Sequence, residues 1–263
     1  GLVRGSTWDS RPELLTPPFS GRAELLGRFT QALRHAAEGS GKAIVVLGPE
    51  GAGKSRLLAE WRVLAQSEGA LVVEARAVAE DRTPYRPVLD VLSALTRRGG
   101  SAGAPARAAL ARVARLAATD VEAPPISRLT EESSRLALFD GVLSALEATR
   151  RAEAGDRPLV LLVDDLHLAD RATAALLSFL FKAAESRPIV VAAAAEPSPP
   201  PEPGGGPNDA LAPIEDLSLP PWTLGPRSDA EAVAAAAGAL ARRDLPEELA
   251  RLVYQETQGW PGG

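Results

Sequence analysis

AIVVLGPEGAGKS is the sequence of residues 43–55, where a short apolar run leads directly into a glycine-rich segment. An apolar run of this length is typical of a strand buried in a parallel sheet. The segment matches the pattern G-x-x-x-x-G-K-[ST], whose glycines let backbone N–H groups curl around phosphate oxygens. A helix that begins at the lysine adds a favourable partial positive charge. We expect nucleotide contacts from Gly48, Pro49, Glu50, Gly51, Ala52, Gly53, Lys54, Ser55 and Arg56.

Two side chains of this segment have distinct expected roles. Lys54 should reach the β- and γ-phosphates and support phosphoryl transfer, and Ser55 should bind Mg²⁺. The motif therefore predicts ATP or ADP as the ligand, with magnesium as the metal.

A second apolar run, PLVLLVDD at residues 158–165, ends in two carboxylates. A magnesium–triphosphate site needs a carboxylate at the end of a neighbouring strand, and Asp164 fits that role. Asp165 is the candidate to orient or deprotonate the attacking water. Glu196 follows the next strand in a loop, so we expect it to stand aside from this chemistry.

Apolar runs alternate with helical patterns along most of the chain, which predicts a three-layer α/β fold with a parallel sheet. In such sheets ligands bind beyond the carboxyl ends of the strands, where both motifs lie. Helices are expected at 22–37, 54–66, 85–98, 106–118, 128–150 and 171–184, the last capped by Asp170. About five strands are expected, at 43–47, 70–75, 158–163, 188–195 and 214–219.

The remaining segments predict the domain organisation. Residues 1–18 are expected to be a leader, 19–220 the nucleotide-binding core, and 221–263 the start of a small helical lid with helices near 227–242 and 246–258. The proline- and glycine-rich residues 197–207 are expected to form an exposed loop.

Composition excludes several classes of site. The 263 residues contain no cysteine and two histidines, which excludes disulfides, thiolate zinc sites and histidine-rich metal centres. The net charge of −5 favours neither direct nucleic-acid binding nor an anionic membrane. No apolar run approaches the roughly 18 residues of a membrane helix, so we expect a cytoplasmic location. Because the chain lacks methionine and begins at Gly1, we expect a trimmed chain or a fragment.

Several segments together resemble one family. LVLLVDDLHLAD, 159–170, looks like the Walker B segment of the STAND branch of AAA+-type ATPases. FSGRAELLGRFTQAL, 19–33, looks like that family's opening motif, RLALFDGVLSAL, 135–146, like the helix before Walker B, and QGWPGG, 258–263, like the G-x-P motif of the lid. The resemblance implies that Gly21 and Arg22 contact the adenine or its ribose and that Pro261 packs on the base.

The chain also departs from the family's pattern. Leu168 stands where a tryptophan is usual, and the role of His167 stays open between a helix-start residue and a catalytic one. No lysine or arginine occurs in 188–226, where the family carries a phosphate-sensing arginine or an arginine finger. Because such an arginine is worth on the order of 10³ to 10⁵ in rate, we expect slow ATP hydrolysis.

The resemblance implies an ATP-controlled switch within a larger signalling or transcription-regulatory protein. Its partners would be other domains of the same polypeptide, with self-association on ATP binding as a further expectation. Two alternatives stay open: a DNA-dependent ATPase of the replication-initiator or loader kind, and a nucleotide-binding scaffold without hydrolysis.

Overall fold

The computed structural model describes residues 22–79, 83–97, 100–119, 128–197, 214 and 219–225. Among these residues, five strands form one sheet in which every pair of neighbours is parallel. The strands are β1 Lys42–Leu47, β2 Leu71–Arg76, β3 Leu159–Asp164, β4 Ile189–Ala195 and β5 Trp222–Thr223. The predicted α/β fold with a parallel sheet of about five strands is confirmed.

The order of the strands across the sheet is β2-β3-β4-β1-β5. β4 therefore lies between β1, which leads into the glycine-rich loop, and β3, which ends in the carboxylates. Both β3 and β4 are buried along their whole length, as expected for central strands covered on two faces.

The described helices are α1 Ala23–Ala37, α2 Lys54–Ser67, α3 Arg86–Arg97, α4 Gly100–Thr119, α5 Arg128–Ala154 and α6 Arg171–Ala184. Apart from α4, they begin at or next to their predicted positions. Asp170 caps α6 as expected, because its carboxylate accepts a hydrogen bond from the Thr173 backbone N–H at 2.9 Å. A 3₁₀ turn, Leu166–Leu168, connects β3 to this cap.

Helix α4 begins earlier than the sequence predicted. Its first residues, 100–105, lie between the helices expected at 85–98 and 106–118, and Pro105 lies inside α4. A Cβ atom on Gly103 would lie 3.0 Å from the Thr96 carbonyl oxygen of α3. Glycine at this position therefore permits a close approach of the two helices, which periodicity alone does not reveal.

The fifth strand also differs from its predicted position at 214–219. Of that segment, Ile214 is helical, Leu219 is not in a strand, and 215–218 lie outside the described residues. The strand is Trp222–Thr223, which pairs with Val46 and Leu47 of β1. It contains so few residues that no alternation of apolar and polar side chains could mark it.

Side chains of the sheet alternate between two packed faces. Val45, Leu161 and Val191 belong to a core cluster formed with α3, α4, α5 and α6. Ile44 and Leu162, whose side chains lie on the opposite face of the sheet, are almost fully buried. Helices thus cover both faces, which gives the three layers.

An aromatic group anchors α2, the helix that begins at the glycine-rich loop. Trp61 of α2 stacks on Phe29 of α1 at a ring-centroid distance of 4.6 Å. Its ring also meets Trp222 of β5 edge-on at 5.5 Å. Both Trp61 and Phe29 are 0% exposed, so these contacts fix α2 firmly and position the start of that helix.

The chain divides into two compact units, Glu24–Leu224 and the combination of Gly1–Ala23 with Gly225–Gly263. The first contains the whole sheet. In the described part of the second, Arg22 Nη2 donates a hydrogen bond to the Gly225 carbonyl at 2.9 Å. The predicted leader, the predicted lid helices and all but the first residue of the predicted loop 197–207 lie outside the described residues. None of the described helices is long and apolar enough to span a membrane.

Candidate functional site

The glycine-rich loop connects the end of β1 to the start of α2. Gly51 and Gly53 have φ values of 74° and 85°, a region that side-chain-bearing residues rarely adopt. These two glycines allow the sharp turns that lead the backbone into the helix. Pro49, Glu50 and Gly51 are exposed at the tip of the loop.

Gly48 is required for a different reason, because its backbone is closely packed. A Cβ atom on this residue would lie 3.0 Å from the Cβ atoms of Ala52 and Leu224. Leu224 is held there by its backbone N–H, which donates to the Leu47 carbonyl at 2.7 Å. The loop therefore rests against the chain that follows β5, and a larger side chain at Gly48 would push the two apart.

Lys54 is buried at the start of α2, with 6% of its surface exposed. Its ammonium group donates hydrogen bonds of 2.9 Å to the carbonyls of Gly48 and Pro49. The charge is thus folded back over the loop. Its third partner is Glu196, whose Oε1 lies 3.3 Å from Nζ.

Asp164 ends β3 and is 3% exposed. Its Oδ1 accepts a hydrogen bond of 3.0 Å from the backbone N–H of Asp165. Its Oδ2 is buried and has no hydrogen-bond partner among the described residues. A buried carboxylate oxygen without a partner is costly, and such groups are common where a ligand or ion supplies the missing contact.

Asp165 faces a different environment from its neighbour. Its backbone is left-handed, with φ 52°, which turns the chain sharply after the strand. Its Oδ2 accepts a hydrogen bond of 2.8 Å from Nε of Arg76, and Nη2 of the same guanidinium forms an ion pair with it at 2.8 Å. Arg76 ends β2, and its register partner in β3 is Asp164. The second carboxylate is therefore held by an arginine of the adjacent strand.

Glu196 directly follows β4 and lies within the site. Besides its contact with Lys54, its backbone N–H donates to His167 Nδ1 at 3.3 Å. Its Oε2 lies 3.9 Å from His167 Nε2. Glu196 thus lies closer to Lys54 than its place in the next loop suggested, because β4 lies between β1 and β3 and its end falls between the two motifs. That Asp165 rather than Glu196 acts on water stays a prediction.

The other predicted site residues have the following positions. Ser55 is half-buried in the first turn of α2, and Ala52 is buried under the loop. Arg56 Nε donates to Glu60 Oε1 one turn along the same helix at 2.8 Å. Arg22 contacts Gly225 as described above, and Gly21 and Pro261 lie outside the described residues.

The sequence did not suggest that Arg76 contacts Asp165 or that Glu196 contacts Lys54. Arg76 ends β2 and Glu196 follows β4, as Asp164 ends β3, so the ends of the predicted strands were the signal that could have identified them. Because the carboxyl ends of parallel strands meet at one edge, polar residues there converge whatever their separation in sequence.

The donor set fits magnesium bound to a nucleotide. No group of three or more histidine, cysteine, aspartate or glutamate residues suitable for a metal occurs in the described part of the chain. Magnesium does not need such a cage, since it binds through one or two protein oxygens together with phosphates and water. The unpartnered Asp164 oxygen and the Ser55 hydroxyl are suitable protein ligands of this kind.

Comparisons with known proteins indicate the family and the fold of the chain. The family model described as AAA ATPase domain matches residues 18–192. A structure of Drosophila ORC bound to DNA is similar over 99% of this chain and 61% of that chain, with 15% identity and a TM-score of 0.55. A crystal structure of Cdc6p from Pyrobaculum aerophilum is similar over 87% and 52%, with 12% identity and a TM-score of 0.50.

The chain thus spans 61% and 52% of the lengths of these two solved structures. At such low identity the likeness concerns the fold alone. No curated protein is significantly similar in sequence.

Proposed function

The chain belongs to the family of AAA ATPase domains, and on this premise we propose that it binds ATP and ADP with magnesium at the carboxyl edge of its sheet. One observation carries the proposal. The Lys54 ammonium group is held over the glycine-rich loop, and the buried Asp164 presents an oxygen without a partner at the same sheet edge. A cation and a carboxylate so arranged match the charges of a polyphosphate and its metal ion, respectively.

The roles of the individual residues follow from their chemistry. The backbone N–H groups of Glu50, Gly51 and Gly53, together with those of the first turn of α2, would hold phosphate oxygens. Lys54 would exchange its carbonyl partners for phosphate oxygens, and Ser55 and Asp164 would hold magnesium. When bound, the metal neutralises charge that develops on the phosphates.

Slow hydrolysis is part of the proposal. Asp165, the expected water-orienting residue, is paired with Arg76 through a hydrogen bond and an ion pair. Residues 188–226 contain no lysine or arginine to stabilise the transferred phosphate. A long-lived bound nucleotide suits a switch, in which ATP and ADP favour different conformations by their difference in binding energy. We therefore propose a STAND-type switch module within a larger signalling or transcription-regulatory protein.

The experiment is to measure ATP and ADP binding by calorimetry with and without Mg²⁺, for the unaltered chain and for Lys54→Ala. We expect the substitution to weaken ATP binding by at least about tenfold, or roughly 1.4 kcal/mol. The matched control is Lys42→Ala, which removes an equal charge from the exposed opposite end of β1. Equal ATP affinity in Lys54→Ala and the unaltered chain would refute the assignment of the site.

A DNA-dependent ATPase is the second candidate, favoured by the fold likeness to Drosophila ORC, whose structure was determined bound to DNA. The net charge of −5 opposes it, because phosphate contacts dominate DNA affinity. A gel-shift assay at low salt discriminates: retarded DNA supports this candidate. Single-turnover hydrolysis separates the switch from a scaffold without activity, since the scaffold leaves ATP intact.

A further inference from the structure

Glu196 introduces a negative charge where the proposed ligand is itself negative. The residue follows β4, and the strand order places the end of β4 between the ends of β1 and β3. Its carboxylate contacts the Lys54 ammonium group at 3.3 Å. Lys54 is the residue proposed to bind the outer phosphates, so Glu196 and those phosphates share one cation.

The position of Glu196 is supported from both sides. Its backbone N–H is held by His167 Nδ1 at 3.3 Å, which fixes the chain directly after the strand. Its neighbour Ala195 is 0% exposed and carries the carbonyl that accepts from the Gly48 N–H at 3.3 Å. The carboxylate therefore extends from a fixed backbone towards the phosphate loop.

We propose that Glu196 is a specificity-determining residue that disfavours nucleoside triphosphate relative to diphosphate by competing with the terminal phosphate for Lys54. The inference rests on the proposed nucleotide function of this site. The β-phosphate of a diphosphate would replace only the two carbonyl partners of Lys54 and would leave the Lys54–Glu196 pair in place. A triphosphate must displace the carboxylate and accept its repulsion, and such a repulsive element is a common source of discrimination.

The size of the effect is limited by solvent. Lys54 is 6% exposed, but the Glu196 side chain is 36% exposed, so water screens part of the repulsion. We therefore expect the ratio of triphosphate to diphosphate affinity to rise by about tenfold when Glu196 is neutralised. This value is at the lower end of the effects seen when one partner of a charged contact is removed.

The test is calorimetry of E196Q with ADP and with a non-hydrolysable ATP analogue, both with Mg²⁺. Expected is an increase of about tenfold in analogue affinity with ADP affinity changed by less than about threefold. The matched control is Glu185→Gln, an exposed carboxylate at the end of α6 that precedes β4 and lies at the opposite edge of the sheet. This control should have the same ratio of triphosphate to diphosphate affinity as the unaltered chain.

The outcomes separate the inference from the function on which it rests. If E196Q binds both nucleotides with the ratio of the unaltered chain, the inference is overturned while the nucleotide site stands. If the unaltered chain binds neither nucleotide, both are overturned. Glu196→Asp keeps the charge on a shorter side chain and should retain most of the discrimination. Equal ratios in E196Q and Glu196→Asp would likewise overturn a role for the charge.

Discussion

Asp164→Asn is the substitution that best separates a functional carboxylate from a structural one. Asparagine has nearly the same shape, and its carbonyl oxygen can still accept the hydrogen bond from the Asp165 N–H, which is 3.0 Å long in the present structure. The change removes a negative charge from a side chain that is 3% exposed. It therefore removes the charge and one acceptor oxygen while it keeps the shape of the side chain and its hydrogen bond to the Asp165 N–H.

Two effects of opposite sign are expected. In the absence of ligand, Oδ2 is buried without a partner among the described residues, and a buried unsatisfied group costs about 1–3 kcal/mol, more when charged. The amide that replaces it is also incompletely bonded but neutral, so we expect a net stabilisation of about 1 kcal/mol, which for a chain of this size raises the Tm by about 2–4 °C. Magnesium-dependent nucleotide affinity should instead fall by at least about tenfold.

The measurement combines thermal unfolding without nucleotide or metal and calorimetry of ATP binding with and without Mg²⁺. Asp156→Asn is the matched control, because Asp156 is an exposed aspartate shortly before β3 and hence at the opposite edge of the sheet. The control should change neither quantity. A lower Tm for Asp164→Asn, together with unchanged magnesium dependence, would show that the carboxylate is structural and refute this reasoning.

Two further outcomes are expected. Asp165→Asn should keep ATP binding, because the Asp165 side chain is paired with Arg76 and is not the expected metal ligand. The same substitution should lower single-turnover hydrolysis, since Asp165 is the residue expected to orient the attacking water. If ATP binding were lost while hydrolysis per bound ATP stayed unchanged, the roles of the two carboxylates would be reversed. Gly41→Ala should lower the Tm strongly, since its Cβ would collide with the Ile189 carbonyl oxygen. Gly27→Ala lies in α1 with open space around it, so its free energy of unfolding should rise by about 1 kcal/mol. Similar Tm values for these two alanine variants would contradict the close packing of Gly41 against the start of β4.

The part of the site that could be predicted is the part that lies within one continuous segment. Lys54 folds back over a loop six residues long in its own motif, so its position depends on local geometry. Asp164 was identified because a buried apolar run ends at it. Neither conclusion required knowledge of which strand lies beside which.

The part that could not be predicted depends on contacts between distant segments. Glu196 meets Lys54 across 142 positions of sequence, and Asp165 meets Arg76 across 89. Trp222 is recognisable as a strand residue only through its pairing with Val46. Each of these facts depends on the strand order, for which periodicity contains no information.

The sequence alone therefore determined the α/β class, the buried strands and the two motifs, because apolar patterning and the glycine-rich loop act over a few neighbouring residues. Only the tertiary structure showed that β4 separates the two motifs and brings a carboxylate onto the phosphate-loop lysine. The physical reason is that a parallel sheet gathers the carboxyl ends of its strands at one edge. Their order along that edge is set by how the helices pack over the whole sheet.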